Sequence, residues 1–229
     1  HNAKDSTSLK NNYVRSLFED SQKRFWVGCI DGLLQYDPHS DSFHEIPLIR
    51  EGKQVYPHIM HITELRNGEI WIATSGQGIF KWNEKAKKGE SIEYLMHKLN
   101  SYYLNSICED HLNNIWIGSE NRGLARYTPI NGEVRIYRSP EIQGDYISAI
   151  TENTDGDVFV GTFNQGLSRY DREKEAFIPV KYHNGTPLLV KSLFPANNGK
   201  LYIGTDGQGL KVYNPEKNEA ENHEINSAP

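Results

Sequence analysis

The sequence has few of the features that would place a protein in a membrane or on a nucleic acid. No stretch approaches the roughly 18 consecutive apolar residues that a membrane span requires. Residues 1–5 contain no apolar run, so we expect no signal peptide at this end. The formal charge is −5 and the pI is about 6.0, so no large basic surface is available to hold phosphates. We therefore expect no nucleic-acid partner for this segment.

Cysteine is also scarce, with only Cys29 and Cys108 in the chain. Both lie in predicted strands far apart in the sequence, whereas a disulfide requires Cα atoms within about 7 Å. We therefore expect two buried free thiols, and no zinc site, because the spacing of metal-ligand pairs is missing. His58 and His61 are three residues apart on a predicted strand, which would place them on opposite faces. No metal and no cofactor are expected.

What the chain does contain is one pattern repeated five times. An apolar run around an aromatic residue recurs at intervals of 45, 45, 43 and 43 residues. A turn glycine follows each aromatic residue by six or seven positions, and a second aromatic closes each copy. Two positions after the aromatic lies another glycine, replaced by Ala73 in the second copy, which we expect to allow close approach of backbones. The central aromatics are Trp26, Trp71, Trp116, Phe159 and Tyr202. A period in the forties is typical of repeat architectures, in which each unit buries its faces only against its neighbours.

Each copy reads as four short strands. The segments 66–68, 154–156 and 197–199 read as tight turns, because each ends in Gly preceded by Asn or Asp, residues that tolerate positive φ. We predict no helix, and we interpret 92–97 as a fourth strand because the equivalent segments read as strands. The pattern predicts an all-β propeller, as a fragment or a small ring, of five four-stranded antiparallel blades. The predicted divisions are a lead-in at 1–12 and blades at 13–57, 58–103, 104–145, 146–188 and 189–229.

The repeat resembles a known family at individual positions. In the first copy the matching segments are 14–20, 25–28 and 32–37, and in the third copy they are 107–110, 115–119 and 123–127. These residues resemble the two-component regulator propeller repeat, and the resemblance extends over about residues 8–225. Five copies in register make the resemblance specific, although one copy alone is weak.

The resemblance implies the periplasmic sensor region of a hybrid two-component protein of Bacteroidetes, whose other parts are a membrane helix, a histidine kinase, a receiver and a DNA-binding domain. It implies an oligosaccharide signal, a homodimer in the full sensor and transcription regulation by the whole protein. This chain would then be a non-enzymatic piece of a longer sensor. The family usually has seven or fourteen blades, so five could form a ring, an open arc or a pair with a second copy.

Turns between second and third strands, together with the links between blades, form the expected recognition surface, because loops on a rigid scaffold carry function. Amides, charges and aromatic rings suit the hydroxyls and C–H faces of a sugar. The candidate ligand-binding residues are Tyr103, Arg122, Phe163, Gln165, His183 and Gln208. For the glutamines the alternative is a structural role, since they recur at equivalent turn positions.

Two other functions stay open. A propeller glycosidase or lyase would need paired carboxylates about 5–10 Å apart, and residues 19–20 and 109–110 are Glu-Asp pairs. Their recurrence at one turn of the repeat favours a structural role. Residues 153–157 resemble part of a calcium loop but lack its later glutamate, so we interpret them as a hairpin turn. The third possibility is a structural or protein-interaction propeller with no small ligand.

Overall fold

The computed structural model describes residues 7–9, 11–182 and 185–223 of the 229-residue chain. The described part is built almost wholly of short β-strands, as predicted. It divides into two compact units, residues 1–109 and 110–229. Within the described residues, no helix has the length and apolar character needed to cross a bilayer.

Unit 1 contains two sheets, each with an antiparallel meander of four strands. The first has the order β1-β2-β3-β4, and the second has the order β6-β5-β10-β9-β8-β7. The elements of the unit are β1 (Val14–Glu19), β2 (Phe25–Cys29), β3 (Gly32–Asp37), β4 (Ser42–Ile46), β5 (Leu48–Arg50), β6 (Lys53–Val55), β7 (His58–Glu64), β8 (Ile70–Ser75), β9 (Gly78–Asn83), β10 (Lys88–Ser91), helix α1 (Glu93–Leu99) and β11 (Leu104–Glu109).

Helix α1 lies where the sequence predicts a fourth strand at 92–97, and that prediction is wrong. The fourth strand is β10, which pairs with β9 and ends at Ser91. The helix buries Leu95, Met96 and Leu99, and it ends at Asn100 in the left-handed conformation. The spacing of these apolar residues is helical. The comparison with the other repeats favoured a strand instead, because none of them has a helix at this place among the described residues.

Unit 2 is built from the same meander. The strands described here are β12 (Ile115–Ser119), β13 (Leu124–Thr128), β14 (Glu133–Tyr137), β15 (Ile147–Glu152), β16 (Val158–Thr162), β17 (Gly166–Asp171), β18 (Ala176–Pro179), β19 (Lys181–Tyr182), β20 (Val190–Pro195), β21 (Leu201–Thr205), β22 (Leu210–Asn214) and β23 (Glu219–Asn222). Strands β15 to β18 form one sheet in sequence order, and the last sheet has the order β19-β23-β22-β21-β20.

The segment that leads into a repeat runs along the outer edge of that repeat. Strand β5 pairs in parallel with β10, and β19 pairs in parallel with β23. The lead-in to the first repeat follows the same path, since the Phe43 amide donates to the Thr7 carbonyl at 2.8 Å. These pairings cover edge strands that would otherwise expose free backbone groups.

Neighbouring repeats approach closely at the glycine that follows the central aromatic. A Cβ added to Gly28 in unit 1 would lie 2.5 Å from Cγ2 of Ile59. In unit 2, a Cβ on Gly161 would lie 2.3 Å from Cγ1 of Val190. The contacting residue is each time at the start of the first strand of the next repeat. The expected reason for this glycine, close approach of backbones, is therefore confirmed.

Each packed face is apolar and centred on the aromatic residue of the repeat. In unit 1, Trp26 lies in one cluster with Ile59 and Ile72 of the next repeat. In unit 2, Phe159 lies in one cluster with Val190 and Ile203. The two cysteines are free, as expected, but only Cys29 is buried, whereas Cys108 is half-buried. Burial of both thiols was the wrong part of that prediction.

A β-bulge changes the facing of the histidines in β7. The register shifts between Ile59 and His61, so that one extra residue is accommodated. His58 and His61 consequently stand opposite Ser75 and Ala73, which are two residues apart and share a face. The prediction of opposite faces is wrong, because it assumed a regular strand.

His61 makes the stability of unit 1 dependent on pH. Its Nδ1 accepts a hydrogen bond from the Ile107 amide at 3.3 Å, and burial lowers its pKa to about 4. The unfolded chain has the ordinary value of about 6.5, so it binds the proton first, and stability is lost as pH falls below that value. We expect the wild type to lose about 1 kcal/mol between pH 6.5 and 5.5 relative to His61→Gln.

Urea unfolding of the two proteins at both pH values measures this loss. His58→Gln is the matched control, since that side chain lies on the same strand and is exposed. It should retain the pH dependence of the wild type. If the stability of the wild type and of His61→Gln changes equally with pH, the His61 imidazole does not control the pH dependence.

Candidate functional site

The candidate surface lies where the turn between the second and third strands meets the link between repeats. In unit 1 the Gly76 amide donates to the Tyr102 carbonyl at 2.9 Å. In unit 2 the Phe163 amide donates to the Tyr146 carbonyl at 3.1 Å. These backbone bonds hold each turn against a link, so side chains from both segments emerge at the same end of the repeat.

A hydroxyl and a glycine close this turn in four of the five repeats. The hydroxyl residue donates to the carbonyl of a glycine four residues later. The pairs are Thr74 with Gly78 at 2.8 Å, Ser119 with Gly123 at 2.9 Å, Thr162 with Gly166 at 3.0 Å, and Thr205 with Gly209. The four glycines have φ between 74° and 97°, which residues with a Cβ adopt only with strain. The closing bond uses no side chain of the three residues between hydroxyl and glycine, so closure of the turn does not fix which side chains stand there.

Four of the predicted site residues occupy these intervening positions in unit 2, and their side chains differ in how they are held. Arg122 is exposed and its amide bonds Ser119 Oγ at 2.8 Å. Its guanidinium makes no hydrogen bond or ion pair with the residues that the structure describes. Phe163 is 37% exposed. Both side chains can therefore meet a ligand without breaking an internal contact.

The glutamines are held more firmly. The Gln208 Oε1 accepts the Leu189 amide at 2.7 Å and its Nε2 donates to the Pro187 carbonyl at 3.1 Å, so both ends of this side chain bind the link. Gln165 lies against Gly144, with its Cδ 3.1 Å from the position of a Cβ there. The geometry favours the structural alternative for Gln208 and leaves Gln165 available only in part.

The other two predicted residues are separate from this group. Tyr103 belongs to unit 1, is 49% exposed and forms an isolated bridge with Ser75. Its ring lies 3.7 Å from where a Cβ on Gly76 would be. His183 lies outside the described residues. Of the six candidates, the structure thus places Arg122, Phe163, Gln165 and Gln208 on equivalent turns of one unit.

An exposed aromatic pair lies on this surface in unit 2. The rings of Tyr146 and Phe163 are 5.2 Å apart at an interplanar angle of 47°. The Lys191 Nζ lies 4.4 Å from the Phe163 centroid and 3.3 Å from Asp206 Oδ2. Each ring is 37% exposed, and the two charged side chains are about half exposed. The platform, defined as Tyr146, Phe163, Lys191 and Asp206, combines flat apolar faces with a cation and a carboxylate.

Lys191 was not predicted to lie on this surface, because a regular β-strand would not place its side chain beside Phe163. It lies at the register shift between Val190 and Ser192 in β20, and a bulge re-aims the inserted side chain. The same shift occurs in β1, β7 and β15. Alignment of the repeats by their first strands could have revealed the extra residue, whereas the apolar pattern alone could not.

The aspartates of the Glu-Asp pairs lock the central tryptophan. Asp20 accepts the Trp26 Nε1–H at 2.8 Å, and Asp110 accepts the Trp116 Nε1–H at 2.9 Å. Both aspartates are buried. Burial would raise the pKa of Asp110, but hydrogen bonds from Trp116 and the Asn114 amide hold that pKa below its usual range.

The glutamates of the same motif join neighbouring repeats. Glu64 accepts the Ser21 amide at 2.7 Å and Glu109 accepts the Arg66 amide at 2.6 Å, both in unit 1. In unit 2, Glu152 accepts the His111 amide at 2.9 Å. Adjacent carboxylates in this motif therefore have separate structural roles, which supports the structural reading over a catalytic pair. Across the described residues, no group of three or more His, Cys, Asp or Glu is arranged to hold a metal ion.

Comparison with known proteins agrees with this architecture. The family described as two component regulator propeller matches at residues 8–31 and 98–121. A histidine kinase P4 from Formosa agariphila is 28% identical over 138 residues, which are 57% of this chain and 10% of that protein. The chain thus spans about a tenth of that relative.

Solved structures share the fold at low identity. The extracellular domains of two hybrid two component systems from B. thetaiotaomicron are both 22% identical, with TM-scores of 0.76 and 0.78. They align with 95% and 93% of this chain and with 28% and 30% of their own length. Virginiamycin B lyase from Staphylococcus aureus has a TM-score of 0.74 at 16% identity, over 96% of this chain and 73% of its own. The chain has the β-propeller fold of these structures, and its residues 8–31 and 98–121 match the family described as two component regulator propeller.

Proposed function

We propose that this chain is the ligand-sensing part of the extracytoplasmic region of a hybrid two-component regulator, and that its ligand is an oligosaccharide. The proposal rests on the platform, because exposed aromatic rings beside a cation and a carboxylate are unusual in a solvent-facing turn. The repeat family and the histidine kinase relative support the sensor role. The extracellular domains of similar fold support a periplasmic location.

The chemistry of the platform suits a sugar. The tilted rings of Tyr146 and Phe163 offer apolar faces to the C–H groups of a pyranose. Lys191 donates and Asp206 accepts hydrogen bonds, so a pair of neighbouring hydroxyls can bind both. The Arg122 guanidinium, on the equivalent turn of the preceding repeat, adds a planar donor. An analogue lacking these hydroxyls would leave the polar groups unpaired, which gives specificity.

The sensor needs no turnover of its ligand. A bound oligosaccharide changes the balance between two arrangements of the sensor dimer only to the extent that it binds one of them more tightly. In the longer protein that difference would pass through the membrane to the histidine kinase. The aspartates and glutamates of the repeat motif, which an enzyme reading would use, are engaged in the scaffold.

We expect Phe163→Ala to weaken oligosaccharide binding about tenfold or more, equivalent to about 1.4 kcal/mol, because it removes one face of the platform. Isothermal titration calorimetry with a panel of neutral glucans, mannans and xylans and acidic galacturonans would measure this effect. Arg122→Ala should weaken binding of the same sugar less, since the residue lies on a neighbouring turn.

Tyr94→Ala is the control for loss of an exposed aromatic ring, since Tyr94 is 54% exposed and belongs to unit 1. It should bind as the wild type does. If the wild type binds a sugar and Phe163→Ala binds it equally well, the platform is not the site. Release of shortened sugars during the titration, followed by chromatography, would support the enzyme alternative instead.

A further inference from the structure

Unit 2 contains a cavity of about 350 Å³ that no residue of the platform lines. The cavity lies between the link at residues 185–189 and the strands β22 and β23. Its lining includes Tyr182, Thr186, Leu188, Lys211 and Asn222. We call this cavity the link pocket. Its volume is within the range of about 300–1,000 Å³ that small-molecule sites occupy in proteins.

The link pocket is on the side of the last sheet that packs against the fourth repeat. In the register of β22 and β23, Lys211 stands opposite Asn222. Two residues along, Tyr213 stands opposite Ala220, so all four share a face. Tyr213 and Ala220 pack in one cluster with Phe159 of the fourth repeat. The walls of the pocket are therefore set by contacts inside unit 2.

The turn of the fourth repeat positions the Tyr182 ring at the pocket. A Cβ at Gly166 would lie 3.2 Å from Cε1 of this ring, so the glycine that closes the turn also leaves room for the ring. Tyr182 is half-buried and packs against the apolar cluster that contains Phe159. Its hydroxyl makes no hydrogen bond within the described part of the chain. Tyr182 thus gives the pocket a flat apolar wall and a hydroxyl that can bind a ligand.

Lys211 gives the link pocket a positive charge that no carboxylate compensates. Among the described residues it is the one charged side chain in the lining. Its Nζ donates to Asn222 Oδ1 and forms no ion pair with any residue that the structure describes. In contrast, Lys174, Lys191 and Lys217 of the same unit each pair with a carboxylate. The pocket is therefore suited to an anionic group.

The acidic residues of β23 lie on the other side of the sheet. Glu219 and Glu221 alternate along the strand with Ala220 and Asn222, so their side chains are on the face opposite to the pocket. Glu221 is engaged there by Lys217 Nζ at 2.7 Å. An anion bound to Lys211 would therefore not meet these carboxylates.

The link pocket adjoins the platform. Gln208 lines the pocket, whereas Asp206, two residues earlier in the same turn, belongs to the platform. Cα atoms two residues apart are separated by at most about 7 Å. The turn is fixed on the link, because the Asp206 amide donates to the Leu189 carbonyl at 2.8 Å and the Leu189 amide donates to Gln208 Oε1 at 2.7 Å. One oligosaccharide can therefore lie on the platform and place a neighbouring unit in the pocket.

We propose that the link pocket binds an anionic sugar unit, whose carboxylate or sulfate group is held by Lys211. The ring hydroxyls of this unit bind Tyr182 and Asn222, and the platform binds the next unit of the same chain. The ligand is then an acidic oligosaccharide, an inference that rests on the function proposed above. A charge-assisted hydrogen bond is about twice as strong as a neutral one, so Lys211 determines the preference for the acidic sugar.

Isothermal titration calorimetry with two pairs of sugars tests this preference. Tetragalacturonate and its full methyl ester differ only in the charge of the carboxylates, and a carrageenan tetrasaccharide and its desulfated form differ only in sulfate. The wild type should bind the acidic member of one pair at least about tenfold more tightly than its neutral partner. That pair shows which anionic group the pocket takes. Lys211→Met should abolish the preference, and Lys211→Arg, which keeps the charge, should retain most of it.

Lys174→Met is the matched control, since it removes one positive charge from unit 2 at a side chain that is 69% exposed. It should bind as the wild type does, and circular dichroism checks that all variants fold. Equal affinity for the acidic and neutral members of both pairs overturns the inference, and so does a preference that survives in Lys211→Met.

The two proposals fail in different ways. If the wild type binds only neutral glycans and Phe163→Ala loses them, the inference about the link pocket is wrong and the platform remains the site. If Lys211→Met loses the preference for the acidic sugar but Phe163→Ala binds that sugar unchanged, the link pocket is a site and the platform is not.

Discussion

Asp110→Ala is expected to lower the free energy of unfolding of unit 2 by about 3–5 kcal/mol, the range for removing one partner from a buried charged network. The Asp110 carboxylate is 0% exposed. It accepts hydrogen bonds from the Trp116 indole at 2.9 Å, the Asn114 amide at 2.9 Å and Arg172 Nη1 at 3.1 Å. Alanine leaves the buried Trp116 indole N–H without this acceptor and also removes the acceptor of the partly buried Asn114 amide and Arg172, so the loss includes a desolvation penalty.

Urea unfolding at pH 7 measures this loss, and Asn153→Ala is the matched control. Asn153 has the same place in the next repeat and accepts the amides of Asp155 and Asp157 at 3.1 and 2.8 Å. The central aromatic there is Phe159, which has no N–H, so the control should cost only about 1–2 kcal/mol. Equal losses at the two positions would show that the hydrogen bond from Trp116 to Asp110 adds no stability beyond that of an ordinary turn.

The same experiment in acid checks the charge. Because the folded pKa of Asp110 is held low, its contribution is complete above the unfolded pKa of about 3.9 and is lost as pH falls. The difference between the wild type and Asp110→Ala should therefore shrink as the pH is lowered below about 4. If the difference in unfolding free energy between the wild type and Asp110→Ala is unchanged in acid, the stabilisation comes from the shape of the side chain and not from its charge.

Gly161→Ala is expected to cost about 1–3 kcal/mol, the range for overpacking a filled core. The new Cβ would lie 2.3 Å from Cγ1 of Val190, which is 0% exposed. Gly161 is not among the glycines with positive φ, so its backbone accepts alanine and the loss reports packing between repeats. A double-mutant cycle with Val190→Ala separates the cost of overpacking from other effects of the substitution, because Val190→Ala creates the space that the new methyl group needs.

The double variant should be more stable than the sum of the two single losses predicts, by about 1 kcal/mol. Gly204→Ala is the control, since a Cβ there would meet the Ser192 hydroxyl, which can rotate, rather than a neighbouring repeat. It should change stability by less than about 1 kcal/mol. Additive losses in the cycle would contradict the close approach of the two backbones at this point.

Much of the fold was predictable because it is repeated. The spacing of Trp26, Trp71 and Trp116 indicated four-stranded units, and the glycine after the aromatic indicated close approach. Helix α1 was not predicted, since a strand in four repeats outweighed the helical spacing of its buried residues. The histidines of β7 were assigned to the wrong faces because one inserted residue reverses all later facings.

The candidate site was predictable in kind and less so in detail. Arg122 and Phe163 were proposed from the sequence because they lie in turns between strands, where function concentrates. The backbone hydrogen bond between turn and link brings Tyr146 next to Phe163, and a β-bulge brings Lys191 there. Neither contact can be read from the pattern of strands in the sequence. Gln208 looked like a ligand amide, yet both of its polar atoms bind the link.

The sequence by itself determined the repeat, its four strands and the residues that close each turn, because these depend on local spacing and on the backbone freedom of glycine. Tertiary structure decided the roles of identical residue types. It assigned Asp110 to a tryptophan and Glu152 to a neighbouring turn. It also left Leu210 exposed where Leu167 is buried. These outcomes depend on what packs against a residue from elsewhere in the chain, and a repeated motif does not encode its neighbours.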